Sequence, residues 1–132
     1  MSLDISLKDP TSTYEGGSLY TDNITHNLGN MANEAGIYEA LWRPYRLRKD
    51  YDKGLEHSYE KESSYEESVT ILAKDIIDII KKGLEDLKKR PGYYEKFNSP
   101  NGWGRYEHFV PFVEDYLEAL QEYPEAIVII SR

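Results

Sequence analysis

The chain has 132 residues, 39% of them hydrophobic, 30% charged and 13% aromatic, which fits one domain with its own core and argues against disorder. A net charge of −8 argues against bulk attraction to nucleic acid or anionic lipid. No cysteine is present, so disulfides, thiolate nucleophiles and thiolate metal sites are excluded.

Leu3, Ile5 and Leu7 alternate with Asp4, Ser6 and Lys8, the pattern of a half-buried strand. Asp9-Pro10-Thr11-Ser12 reads as a turn and Glu15-Gly16-Gly17 as a second loose point. Ser18-Leu19-Tyr20 is a candidate for a brief second strand.

From Asp22 to Pro44 the spacing predicts one amphipathic helix. Ile24, Leu28, Met31, Ala35, Tyr38, Leu41 and Trp42 recur at steps of three and four. Asp22 or Asn23 can cap the first turn, and Pro44 ends the helix near Trp42. Gly29 and Gly36 share a face and leave room for a close neighbour. On such a helix Asn23, Asn27, Asn30 and Glu34 form a second stripe, with His26 and Asn33 beside it. Asparagine costs about 0.5–0.7 kcal/mol per helical position relative to alanine, so a run of asparagines is not explained by helix propensity. The bland reading is a solvated polar face; the functional one is a polar pocket or partner contact.

Residues 43–65 are charged and hold Tyr45, Tyr51, Tyr59 and Tyr65. They read as a long loop or excursion, ordered where the tyrosines lie on the body. Arg43, Arg46, Arg48 and Lys49 around Tyr45 could grip phosphates, but the acidic EKESSYEE that follows points to pairing within the chain. Glu66 to Arg90 carries the strongest helical pattern, from Val69 through Ile76, Ile80 and Leu84 to Leu87, with a Ser64/Glu67 capping box at its start. Pro91-Gly92 ends it. Tyr93, Tyr94 and Phe97 suggest one helical turn. Asn98 to Gly104 is a tight loop whose two glycines around Trp103 predict positive φ and an indole turned inward. Tyr106 to Leu120 is helical again, starting near Glu107 or kinked at Pro111. Ala126 to Ile130 is an apolar, β-branched run, expected to be a strand covered on both faces or central in a small sheet, and to pair with residues 3–7.

No chemical motif is strong. His26, His57 and His108 have no metal-ligand spacing, no serine sits in a GxSxG setting, and neither a P-loop nor GxGxxG is present. No metal or other cofactor is called for, and catalysis is the weaker expectation. The candidate binding residues are Asn23, His26, Asn27, Asn30 and Glu34, with the two tryptophans Trp42 and Trp103.

The stretches DISLKDP (Asp4 to Pro10), Gly16-Gly17, Asn23 to Asn27 and Asn101 to Gly104 resemble a family of small phage- and prophage-encoded proteins of unassigned function. The order of elements is similar over most of the chain, except for Arg43 to Glu67. The resemblance implies a phage context and no activity.

The expectation is a single α+β domain over residues 1–132, mainly helical. Three main helices pack with a small antiparallel sheet built from the N- and C-terminal strands. No apolar run approaches the roughly 18 residues of a membrane span, and no signal peptide is visible, so a cytoplasmic location is expected. The favoured function is a non-enzymatic phage-type accessory protein acting by protein–protein interaction. The alternatives are a small-molecule or enzymatic site at the Asn/His stripe, and an acidic regulator that occupies a nucleic-acid-binding partner.

Overall fold

The computed structural model describes residues 2–11 and 17–132. The Glu15-Gly16 step and Ser12 of the first turn lie outside the described residues. The fold is α+β and mainly helical, with a three-stranded antiparallel sheet. Strand β1 (Ser2–Lys8) lies between β2 (Ser18–Thr25) and β3 (Ile127–Ser131). Leu7 stands opposite Val128 and Ile5 opposite Ile130, so the two terminal segments pair as their patterns predict. Leu3, Ile5 and Leu7 are almost wholly buried under the helices, while Asp4 on the other face is exposed.

The sheet is larger than expected because β2 runs on to Thr25. The register Leu3↔Ile24, Ile5↔Asp22 and Leu7↔Tyr20 puts Tyr20, Asp22 and Ile24 on the helix side of the sheet. The helical spacing from Ile24 to Leu28 is therefore coincidental. Ile24 is buried as a strand residue, and Leu28 from a short 3-10 turn, His26–Leu28, capped by the Thr25 hydroxyl. The single helix expected over 22–44 is instead this strand and turn followed by two short helices, α1 (Gly29–Glu34) and α2 (Tyr38–Trp42). Gly36 separates them at φ +76°. Its N–H bonds to Asn33 O and that of Ile37 to Ala32 O, the left-handed helix ending that glycine allows. Gly36 thus supplies backbone freedom rather than room for a neighbour.

Residues 43–65 are not a loop. Two 3-10 segments, Pro44–Leu47 and Lys53–His57, lead into α3 (Tyr59–Ser68). Buried Glu62 ties α3 to the first of these segments and to Tyr51, accepting from Tyr45 Oη at 2.7 Å, Arg46 Nε at 2.7 Å and Tyr51 Oη at 3.0 Å. The Arg46–Glu62 and Arg48–Asp50 pairs consume much of the local basic patch.

The helix expected over 66–90 is shorter. Beyond α3 the β-branched Val69-Thr70-Ile71 run is extended and meets β3, with Val128 N–H donating to Ile71 O at 2.8 Å. Ser64 and Glu67 lie inside α3 and form no capping box. Asp75 accepts from Leu72 N–H at 2.9 Å and the chain turns into α4 (Ile77–Lys89). Pro91 opens α5 (Pro91–Glu95) as its first residue. Helix α6 (Tyr106–Glu122) holds Pro111 within it. The core joins Ile80, Leu84 and Leu87 of α4 to Phe109, Val113, Tyr116 and Leu120 of α6, over β1. Strand β3 is neither central nor covered on both faces: Val128 is buried, while Ile129 is 44% exposed.

Candidate functional site

A cleft of about 1270 Å³ opens where the end of β2, the 98–104 loop and α6 meet. Asn23, His26, Asn27 and Trp103 all line it, joined by Asp22, Asn101, His108, Pro111, Phe112 and Asp115. A neighbouring cleft of about 690 Å³ shares His26 and Asn27 and adds Asn30, Asn33 and Tyr38. The amides therefore converge, though not as a helical stripe, because Asn23 belongs to a strand and Asn27 to a turn.

The indole of Trp103 is 71% exposed, not turned inward. Its backbone is pinned on both sides: Trp103 N–H donates to Asn101 Oδ1 at 2.9 Å, and Asn27 Nδ2 donates to Trp103 O at 3.0 Å. Ser99 N–H bonds Gly104 O across the loop at 3.0 Å. Gly102 and Gly104 take φ +80° and +99°, which a side chain would resist. Gly104 is buried, and a Cβ there would stand 2.9 Å from Asn27 Cβ. These constraints fix the backbone that presents an exposed indole.

Trp42 lies deep beneath the site. It is 3% exposed and stacks on Tyr38, with the His26 ring edge-on to it. His26 Nε2 is buried there with no hydrogen-bond partner among the described residues. Glu34 stands apart from the cleft and accepts from Tyr93 Oη at 2.7 Å. His26, Asn30 and Glu34 thus share no common site. Among the described residues no group of three acidic or histidine side chains is placed to hold a metal ion.

Two aspartates, Asp22 of β2 and Asp115 of α6, line the cleft. Burial raises the Tyr20 phenol, and the nearby charge of Asp22, its hydrogen bond and the charge of Asp115 add to that rise. The Tyr20 ring stacks on Tyr116, whose phenol is also raised by burial. The spacing of His108, Pro111 and Asp115 along α6 was a signal for this wall of the cleft. Such a run also describes an ordinary solvated helix face, so it does not by itself single out a cleft wall. Asp22 gave no separate signal, since it reads equally well as a helix cap.

No protein-family model matches the sequence, and no curated protein or solved structure matches it. Among the described residues no helix is long and apolar enough to cross a membrane.

Proposed function

We propose that this chain is a non-enzymatic, cytoplasmic accessory protein of the phage or prophage type its motifs resemble, and that it binds another protein through the Trp103 cleft. One observation carries the reading: the rigidly held loop around Trp103 and its largely exposed indole. Tryptophan on a preorganised backbone at the rim of a cleft is what protein interfaces use as an anchor, because little conformational entropy is left to lose on binding.

The test is capture of a partner from the host cell with tagged protein, comparing wild type with Trp103→Ala and Tyr59→Ala. Tyr59 is 88% exposed and lies outside the cleft. The reading expects a partner lost with Trp103→Ala and kept with Tyr59→Ala. Equal retention by both variants overturns it.

A further inference from the structure

We propose that the cleft is a strand-addition site, in which an extended basic segment of the partner pairs along the outer edge of β2 and lies between β2 and α6. This rests on the protein-binding reading above and specifies what the partner presents. Among the described residues β2 pairs with β1 alone, and Asn23 N–H donates to Asp22 Oδ1 at 2.8 Å, a local bond that an added strand would replace. Alternate residues of such an edge strand direct their N–H and C=O groups outwards, a ready template for another strand. The cleft is lined continuously from Asp22 to Leu28. Asp22 and Ile24 belong to the helix side of the sheet and Asn23 to the other side. The cleft therefore meets the last four residues of β2, Asp22 to Thr25, from both faces, and reaches Ser2 of β1 opposite Thr25. Its far wall is the α6 ridge of His108, Pro111 and Asp115, and its floor is Ile24 and Phe112. This is the geometry in which an extended peptide gains main-chain hydrogen bonds from a strand and side-chain pockets from a helix.

The charge of the cleft selects the segment. Asp22 and Asp115 line it, and among the described residues no lysine or arginine does. Both carboxylates line the cleft, Asp22 Oδ2 accepting from Tyr20 Oη at 3.3 Å and Asp22 Oδ1 from Asn23 N–H at 2.8 Å. Side chains of an added strand that face the helix side recur every second residue. A basic residue beside Asp22 then places an apolar one beside Ile24 and Phe112, with the Trp103 indole at the end of the track. A second copy of this chain fits poorly, because it would bring another Asp22-bearing edge from a molecule of net charge −8.

The test uses a labelled Arg-Thr-Val-Thr-Arg peptide, which offers the same basic-x-apolar pattern in either direction, and reads binding by fluorescence anisotropy. Two isomers carry backbone N-methyl groups, one on the threonines and one on the valine and second arginine. Only one of these sets can face β2, so one isomer should bind about tenfold more weakly than the other. Replacing both arginines by glutamate should abolish binding, and the Asp22→Asn, Asp115→Asn double variant should weaken it several-fold. No binding, equal loss with both isomers, or equal binding of the glutamate peptide overturns the proposal. So does a dimer in sedimentation that the peptide dissociates, since a second copy would then occupy the edge. Isomer discrimination that is indifferent to Trp103→Ala would refute the tryptophan-anchor reading and leave strand addition standing. Trp103-dependent partner capture without isomer discrimination would do the reverse.

Discussion

Replacing Gly104 by alanine should collapse the platform under Trp103, and its neighbour Gly102 supplies the control. Both glycines have positive φ, +80° at Gly102 and +99° at Gly104, so alanine at either position should incur about 1–2 kcal/mol of backbone strain. The surroundings differ. Nothing lies within 4 Å of a Cβ built on Gly102, whereas on Gly104 it would meet Asn27 Cβ at 2.9 Å and Thr25 Cγ2 at 3.2 Å. Carbon atoms pack best at roughly 3.5–4.0 Å, so the loop must lift away from the strand end. Overpacking of this kind costs about 1–3 kcal/mol. Gly104→Ala should therefore lose about 2–5 kcal/mol in urea unfolding, and Gly102→Ala only about 1–2, with unchanged slopes. The lifted loop should also weaken the Asn27–Trp103 bond, so that Asn27→Ala costs less in the Gly104→Ala background than in wild type. Equal midpoints for the two glycine variants would show that the loop is not pressed against Asn27 and Thr25.

Two further outcomes are expected. Burial raises the Glu62 carboxyl, but hydrogen bonds from Tyr45, Arg46 and Tyr51 and the charge of Arg46 outweigh it and hold the group below its ordinary value of 4.5. A depressed folded pKa contributes stability that is present above 4.5 and lost as pH falls through the lower, folded value. Wild type should thus lose more stability than Glu62→Gln between neutral pH and strongly acid conditions; equal losses in urea midpoint would show that the network does not hold the carboxylate. Asn27→Ala should cost about 0.5–1.5 kcal/mol through its bond to Trp103 O, whereas Asn30→Ala, on an exposed helical position, should gain a few tenths. Thermal melts that rank the two variants the other way would contradict this reading of the amides.

The strands at residues 2–8 and 127–131 were legible because alternation and β-branching have no good helical explanation. The course of residues 18–42 was not. Asp22, Asn23 and Thr25 suit a helix start and a strand end alike, and only the open edge of β1, which local spacing does not report, decides between them. Val69-Thr70-Ile71 continued the stripe of the following helix in register, yet β3 claims its backbone. Glu62 lay hidden in a charged stretch, since nothing local shows that three hydroxyl and guanidinium donors converge on it. Of the cleft's lining, Asn23, His26, Asn27 and Trp103 stand out in the sequence by composition and loop chemistry. The indole's direction is not legible in the sequence, because glycines on both sides allow it to face either way.

The central place of β1 also dictates how the chain acquires its fold. Its pairing with β2 is local, but Leu7 meets Val128 only after all the residues between them are available. Closing so large a loop is entropically slow relative to helix formation or to docking of α4 on α6. A molecule awaiting that closure holds a hairpin with β1 open along one side and Leu3, Ile5 and Leu7 ready to pair with the wrong strand. During synthesis this interval lasts until Ile127–Ser131 leaves the ribosome. Association through β1 is therefore most hazardous in the nascent protein, before β3 has covered its second side.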